Sequence, residues 1–215
     1  MKNIPVFSTE FGVGTLILRE IPYKEIAYVK IQSSETPAAF VDECRRFCRM
    51  CGAEKIYAAG HDYLENFPLH TAIIRMTADA NSLPDTDAAL MPVTEQTLPQ
   101  WLEIYNKRMF AVDNAAFKDS ADGKTLLQNG NGYFVHRGEK LLGIGIASGD
   151  TIDAVISVEP GAGRDVVLAL NHAISSEQVI LDVASTNSRA IALYEKLGFM
   201  AVRELSRWYD ISKKE

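Results

Sequence analysis

With 215 residues, 47% of them hydrophobic and 23% charged, the chain can bury a sizeable core as one large domain or two small ones. A net charge of -6 and a pI near 5.3 argue against nucleic acid as a partner, since phosphate contacts need a basic face; an acidic surface suits a cationic substrate better. No run of eighteen apolar residues occurs and MKNIPVFSTEFGVG lacks an apolar h-region, so neither a membrane span nor an export signal is expected. Three cysteines cannot all pair within one chain, and free thiols in a reducing cytoplasm are the simplest expectation.

The first half reads as strand, strand, helix, strand, strand. GVGTLILREI (12–21) and EIAYVKIQSS (25–34) are predicted strands joined by a turn at Pro22, Tyr23 and Lys24. TPAAFVDECRRFCRMCG (36–52) follows, with all three cysteines spaced C-x3-C-x2-C. That spacing resembles the cluster-binding loop of radical-SAM enzymes. The same residues also fit a helix that is capped at Thr36 and Pro37 and stopped at Gly52. In it Val41, Cys44, Cys48 and Cys51 form one stripe, and Arg45, Arg46 and Arg49 take solvated positions. A regular helix does not converge three thiolates on one cluster, so the cysteines are read as small buried hydrophobes and no metal is expected. KIYAAG (55–60) and LHTAIIRMTA (69–78) are predicted strands. His61, Asp62 and His70 between and within them read either as turn and cap residues or as metal or pocket residues. DANSLPDTD (79–87) is rich in turn formers and marks the expected boundary between an N-terminal αβ half, 1–82, and a second domain, 88–215.

The second half begins with a strand candidate, AALMPVT, and a helix, LPQWLEIYNKRMF (98–110), with Leu98, Trp101, Leu102, Tyr105 and Met109 on one face. DSADGKTLLQNGNG (119–132) reads as loop with room for a short helix. A hairpin over 132–148 turns at Arg137 to Lys140, and TIDAVISVEP (151–160) adds a third strand. Next come a turn and helix over 161–176, a strand over 178–186, a helix over 187–197 and a last strand over 200–211.

Within this order, NSRAIALYEKLGF (187–199) resembles the final motif of the GNAT acetyltransferase family, N-x-x-A-x-x-L-Y-x-K-x-G-F, at Asn187, Ala190, Leu193, Tyr194, Lys196, Gly198 and Phe199. A capped amphipathic helix explains the glycine stop and the apolar stripe, but not asparagine, tyrosine and lysine together. The resemblance covers residues 88–211. It implies a mixed α+β fold whose central sheet is mostly antiparallel, with one splayed parallel strand pair and flanking helices. It also implies an acetyl-CoA-dependent N-acetyltransferase acting by direct attack on a small-molecule or peptide amine, without a metal.

By the same resemblance the pantetheine arm pairs with the backbone of Ile156, Ser157 and Val158 between splayed strands, and Asn187, Ala190 and Lys196 line the cofactor. Tyr194 protonates the departing thiolate. The pyrophosphate lies at the turn of Gly161, Ala162, Gly163, Arg164 and Asp165, where small residues precede a helix N-terminus. This turn is shorter than the family's Q/R-x-x-G-x-G/A loop, with Gly161 directly after Pro160 and Val158 in place of the polar residue. Asp153 is the candidate general base, followed by Glu159 and His136. A catalytically inactive CoA-binding sensor or interaction protein of the same fold is the alternative. The first half is read as a degenerate GNAT-like half, since it lacks both motifs. The strand ending WYDI is a candidate edge for pairing with a second copy.

Overall fold

The computed structural model describes residues 2–113 and 115–213. The chain divides into two compact units, residues 1–73 with 204–215 and residues 74–203. It passes from the first to the second within one strand, β5 (Leu69–Asp79), and returns within the last, β11 (Met200–Asp210). Residues 204–210, read from sequence as closing the second domain, therefore cluster with the first unit.

The first unit opens with β1 (Ile4–Thr9), β2 (Gly12–Ile17), a short helix α1 (Ile21–Lys24) and β3 (Ile26–Ser33). These strands form an antiparallel meander. β1 was not foreseen; it is a short edge strand carrying Pro5, a residue that sheets accept at an edge because it donates no ladder hydrogen bond. α2 (Pro37–Met50) crosses back to β4 (Lys55–Ala59), which runs parallel to β3. The cysteine stretch is thus a regular helix. Phe40, Val41, Cys44 and Cys48 are buried against Leu16, Val29 and Ile56, and burial pushes the Cys44 and Cys48 thiols up to about 12. Two expectations need correction. Arg45 is not solvated: its guanidinium lies in the core margin, donates from Nε to the Ile211 carbonyl at 2.6 Å and pairs with Asp42. The WYDI strand is not an edge either, because β11 lies between β4 and β5, with Tyr209 opposite Ala58. Its backbone groups already have partners, and no edge is left there for a second copy.

The second unit holds β6 (Ala89–Pro92), α3 (Leu98–Met109), α4 (Ser120–Asn129), β7 (Gly132–Arg137), β8 (Lys140–Ser148), β9 (Thr151–Ser157), α5 (Gly163–Asn171), β10 (Gln178–Ala184) and α6 (Ser188–Leu197). The end of β5 is followed across the sheet by β10, β9, β8, β7 and β6. One face packs against α5 and α6 through Val166, Val167, Leu170, Leu181 and Val183. The other packs against α3 and α4 through Trp101, Tyr105, Leu126, Ile144 and Ile156. The short helix that 119–132 left room for is α4: Asp119 caps the N–H groups of Ala121 and Asp122, and Asp122 reaches back to the Asp119 N–H. Gly143 lets α5 lie close to β8, since a Cβ there would come within 2.3 Å of the Ile156 carbonyl oxygen and 2.6 Å of Val166.

Candidate active site

The two units contain the same sequence of elements, three antiparallel strands, a helix and a parallel strand, but their parallel pairs differ. In the first unit β3 and β4 are joined at five successive positions, from Ile26 with Lys55 to Lys30 with Ala59. In the second unit the pair described between β9 and β10 is Thr151 with Ile180, anchored by the Ile180 N–H donating to the Asp150 carbonyl at 2.7 Å. Beyond that point the strands part. Their facing backbone groups then become available to an extended ligand, as at any free strand edge.

The helix at the end of β9 follows directly. Val158 and Glu159 both donate to the Leu142 carbonyl, and Arg108, near the end of α3, donates to the Val158 carbonyl at 2.9 Å. Gly161 takes φ +83°, and Ala162 begins α5 without a side-chain cap. The first intrahelical bond runs from the Val166 N–H to the Ala162 carbonyl. The N–H groups of Gly163, Arg164 and Asp165 lie ahead of it, at the positive end of the helix. A Cβ on Gly163 would lie 3.1 Å from Leu193 of α6, a tight approach that the leucine side chain would have to ease. Asp165 sits in the first turn and is largely enclosed. Its carboxylate accepts from Arg137 at 3.0 Å and is 3.5 Å from Arg164. The guanidinium expected to meet an anion is thus already drawn toward a carboxylate.

Asn187 is the N-cap of α6, its carboxamide oxygen accepting from the Ala190 N–H at 3.2 Å. Gly198 ends the helix at φ +99°, with Phe199 donating to the Tyr194 carbonyl and its ring 5.8 Å from the tyrosine. Helix capping therefore accounts for several residues of the motif. Lys196 is exposed in the last turn, where a cation suits the helix dipole. Tyr194 retains an unexplained feature. Its ring is buried, but its hydroxyl has no hydrogen-bond partner among the described residues and is not sealed off from solvent. Burial pushes this phenol up to about 12.

Asp153 lies on β9 at a bulge. Ile146 faces Ala154 and Ala147 faces Ile152, which leaves Asp153 as the extra residue. Ile152 packs into the α5 face and Ala154 into the α3 face; Asp153 goes with Ala154, since the Lys118 that acts on its carboxyl stands over Tyr105 on the α3 face. Desolvation raises its carboxyl above the ordinary range; Lys118 opposes this and Asp182 adds to it. Lys118 stands over the Tyr105 ring at 5.0 Å, and Asp182 accepts two hydrogen bonds from Arg75, at 2.8 and 2.9 Å. Of the other base candidates, Glu159 is tied to Lys140 at 2.8 Å, and the half-buried His136 has its Nε2 sealed without a partner. The sequence reading did not single out Lys118, Asp182, Arg75 or Arg108. Asp182 could have been found as the one charged residue in the apolar run VILDVA.

In the first unit His61 caps a 3-10 turn by accepting from the Tyr63 N–H, and His70 stacks on Tyr57 at 3.7 Å. Among the described residues no group of three or more His, Cys, Asp or Glu is arranged to hold a metal ion, and no helix is long and apolar enough to cross a membrane.

Comparison with known proteins gives the family context. Residues 158–209 match the model of the FR47-like protein family. The sequence has no match among curated proteins. A functionally unknown conserved protein from Staphylococcus epidermidis superposes with a TM-score of 0.58 at 11% identity, covering 95% of this chain and 91% of its own. A GCN5-related N-acetyltransferase from Sphaerobacter thermophilus gives 0.57 at 10% identity, covering 93% and 76%. A tandem GNAT protein from the clavulanic acid biosynthesis pathway gives 0.53 at 12% identity, covering 95% and 80%. The likeness read from residues 187–199 is borne out: the chain has the GNAT fold and carries an FR47-like sequence pattern from the turn before α5 into β11.

Proposed function

We propose that this protein is an N-acetyltransferase that passes an acetyl group from acetyl-CoA directly to a primary amine of a small molecule or peptide. The observation that carries this reading is the parting of β9 and β10 beyond Thr151 and Ile180, beside the uncapped N-terminus of α5, within a GNAT fold. The residues present fit the cofactor. The β9 backbone at Ile156, Ser157 and Val158 would bind the pantetheine arm. The Gly161–Asp165 turn would hold the pyrophosphate on the N–H groups of Gly163, Arg164 and Asp165, with Asn187, Ala190 and Lys196 alongside.

Acetyl-CoA supplies an activated thioester. The chain's own groups manage the two protons. Asp153 accepts one from the attacking amine, as a carboxylate whose raised affinity for protons suits that task. Tyr194 donates the other to the sulfur as the C–S bond breaks, while the new C–N bond forms. Its phenol is held neutral by burial and its O–H has no competing partner. Asp153 belongs to the α3 side of the sheet and Tyr194 to the α5 side, so amine and thioester would approach from opposite faces and meet where the strands part. The first unit is a degenerate GNAT-like half on this reading: it repeats the strand order, but its parallel pair stays closed.

The shortened turn and the Asp165 carboxylate beside Arg164 favour a second reading, a catalytically silent CoA-binding sensor. Labelled acetyl transfer to a panel of amines, with Asp153→Asn as the control, separates the two. Turnover that the variant lowers by about 10²-fold supports the enzyme. Binding of acetyl-CoA without transfer to any amine supports the sensor.

A further inference from the structure

Asp153 and Asp182 occupy matching positions in the parting strands. Thr151 and Ile180 are paired, and two residues further along each strand lie the two aspartates. They also share a face. Leu181 and Val183 point into the α5 and α6 core, so Asp182 between them points to the other side, the side of Ala154 and of the inserted Asp153. A carboxylate in the position of Asp182 disfavours the ionised form of Asp153 unless a cation intervenes. Arg75 of β5 supplies one, holding Asp182 through Nε at 2.8 Å and Nη2 at 2.9 Å.

We infer that Arg75 and Asp182 form a positioning pair that sets the charge state of Asp153. This rests on the reading of Asp153 as the proton acceptor only as far as catalysis is concerned; the coupling itself is a property of the three side chains. Asp182 makes the Asp153 carboxylate a better proton acceptor by disfavouring its negative charge. Arg75, by pairing with Asp182, limits that effect. The other charges acting here are Lys118, ahead of α4, which favours the Asp153 carboxylate, and Asp150 at the β8–β9 turn, which acts on Arg75.

The two substitutions have opposite signs, which a merely structural role would not produce. Asp182→Asn removes the negative neighbour and lowers the Asp153 midpoint. Arg75→Gln leaves Asp182 uncompensated and raises it. Each change is of the order of 0.5 pH. Arg75→Lys, which keeps the cation, returns most of the way to the parent value.

The experiment is a carboxyl carbon-13 NMR titration of the full chain labelled at aspartate, with the Asp153 resonance assigned by its loss in Asp153→Asn. Opposite movements, with recovery in Arg75→Lys, bear the inference out. Midpoints that stay put, or move in one direction for both variants, overturn it. The acid limb of kcat/KM is read in parallel. Midpoints that move while the limb stays leave the coupling standing and overturn the proton-accepting role of Asp153.

Discussion

Thr151 and Ile180 sit side by side at the start of β9 and β10, and the residues of chemical interest in the second unit lie just past them. Asp153 and Asp182 come two positions on, and Ile156 to Val158 after that. In the first unit the corresponding strands stay paired from Ile26 and Lys55 to Lys30 and Ala59. A closed ladder offers an extended ligand no backbone groups; an open one offers a row of them. This contrast, rather than the sequence motif alone, explains why only one of two similar arrangements is a candidate for binding pantetheine.

Tyr194 is predicted to act through its hydroxyl. Tyr194→Phe keeps the ring that packs on Phe199, so the fold and acetyl-CoA affinity persist, while kcat falls by about 10²-fold or more. Because burial raises the phenol to about 12, it remains protonated through neutral and mildly alkaline pH. Any loss of rate caused by its ionisation therefore begins only above the ordinary tyrosine range. A pH profile of kcat against amines of different basicity checks this.

Asn187 caps α6, and its proposed contact with the cofactor is separable from that role. Asn187→Ala removes the cap on Ala190 and costs about 1 kcal/mol of stability. Asn187→Ser keeps a capping oxygen and should be close to neutral in urea unfolding. If the free end of the carboxamide also meets the cofactor, both variants weaken acetyl-CoA binding alike. A loss confined to the alanine variant would reduce Asn187 to a cap.

Gly143 is a packing position. Gly143→Ala places a methyl within 2.3 Å of the Ile156 carbonyl and against Val166, and the separation of α5 from β8 costs about 1–3 kcal/mol. Chemical denaturation measures it. Since α5 also carries the turn proposed to hold the pyrophosphate, acetyl-CoA affinity should fall with it.

The thiols of α2 give a further test. Cys44 and Cys48 are sealed in the first unit, and Cys51 is partly exposed, so a thiol reagent at neutral pH should label Cys51 first and the other two only on unfolding. Burial raises both enclosed thiols from 9.0 to about 12. The folded state holds these protons more tightly than the unfolded chain does. Their stabilisation is complete below pH 9 and is lost as pH rises toward 12. Urea midpoints across that range should fall less in a Cys44→Ala, Cys48→Ala double variant.

Periodicity and capping signals made most elements legible. The cysteine stripe at steps of four and three, the apolar face of α3 and the Asn187-to-Gly198 helix all have local causes. β1 was missed because Pro5 weakens a strand signal that only its edge position excuses. The sequence of 119–132 leaves only room for a short helix in a loop because an aspartate at the third helical position, in place of glutamate, hides the capping box of α4. Arg45 was misread because its partner, the Ile211 carbonyl, lies far along the chain. The same reason hid Asp182 and Arg75, whose significance depends on a strand register that local sequence does not specify.

Acetyl-CoA binding is the point on which the account stands. Calorimetric titration of the full chain with acetyl-CoA, with desulfo-CoA and ATP as controls, measures it directly. Saturable, stoichiometric binding of acetyl-CoA and desulfo-CoA is expected, with ATP far weaker because it cannot fill the space between β9 and β10. No heat of binding up to millimolar acetyl-CoA would contradict it, and would leave the 187–199 motif as scaffold alone.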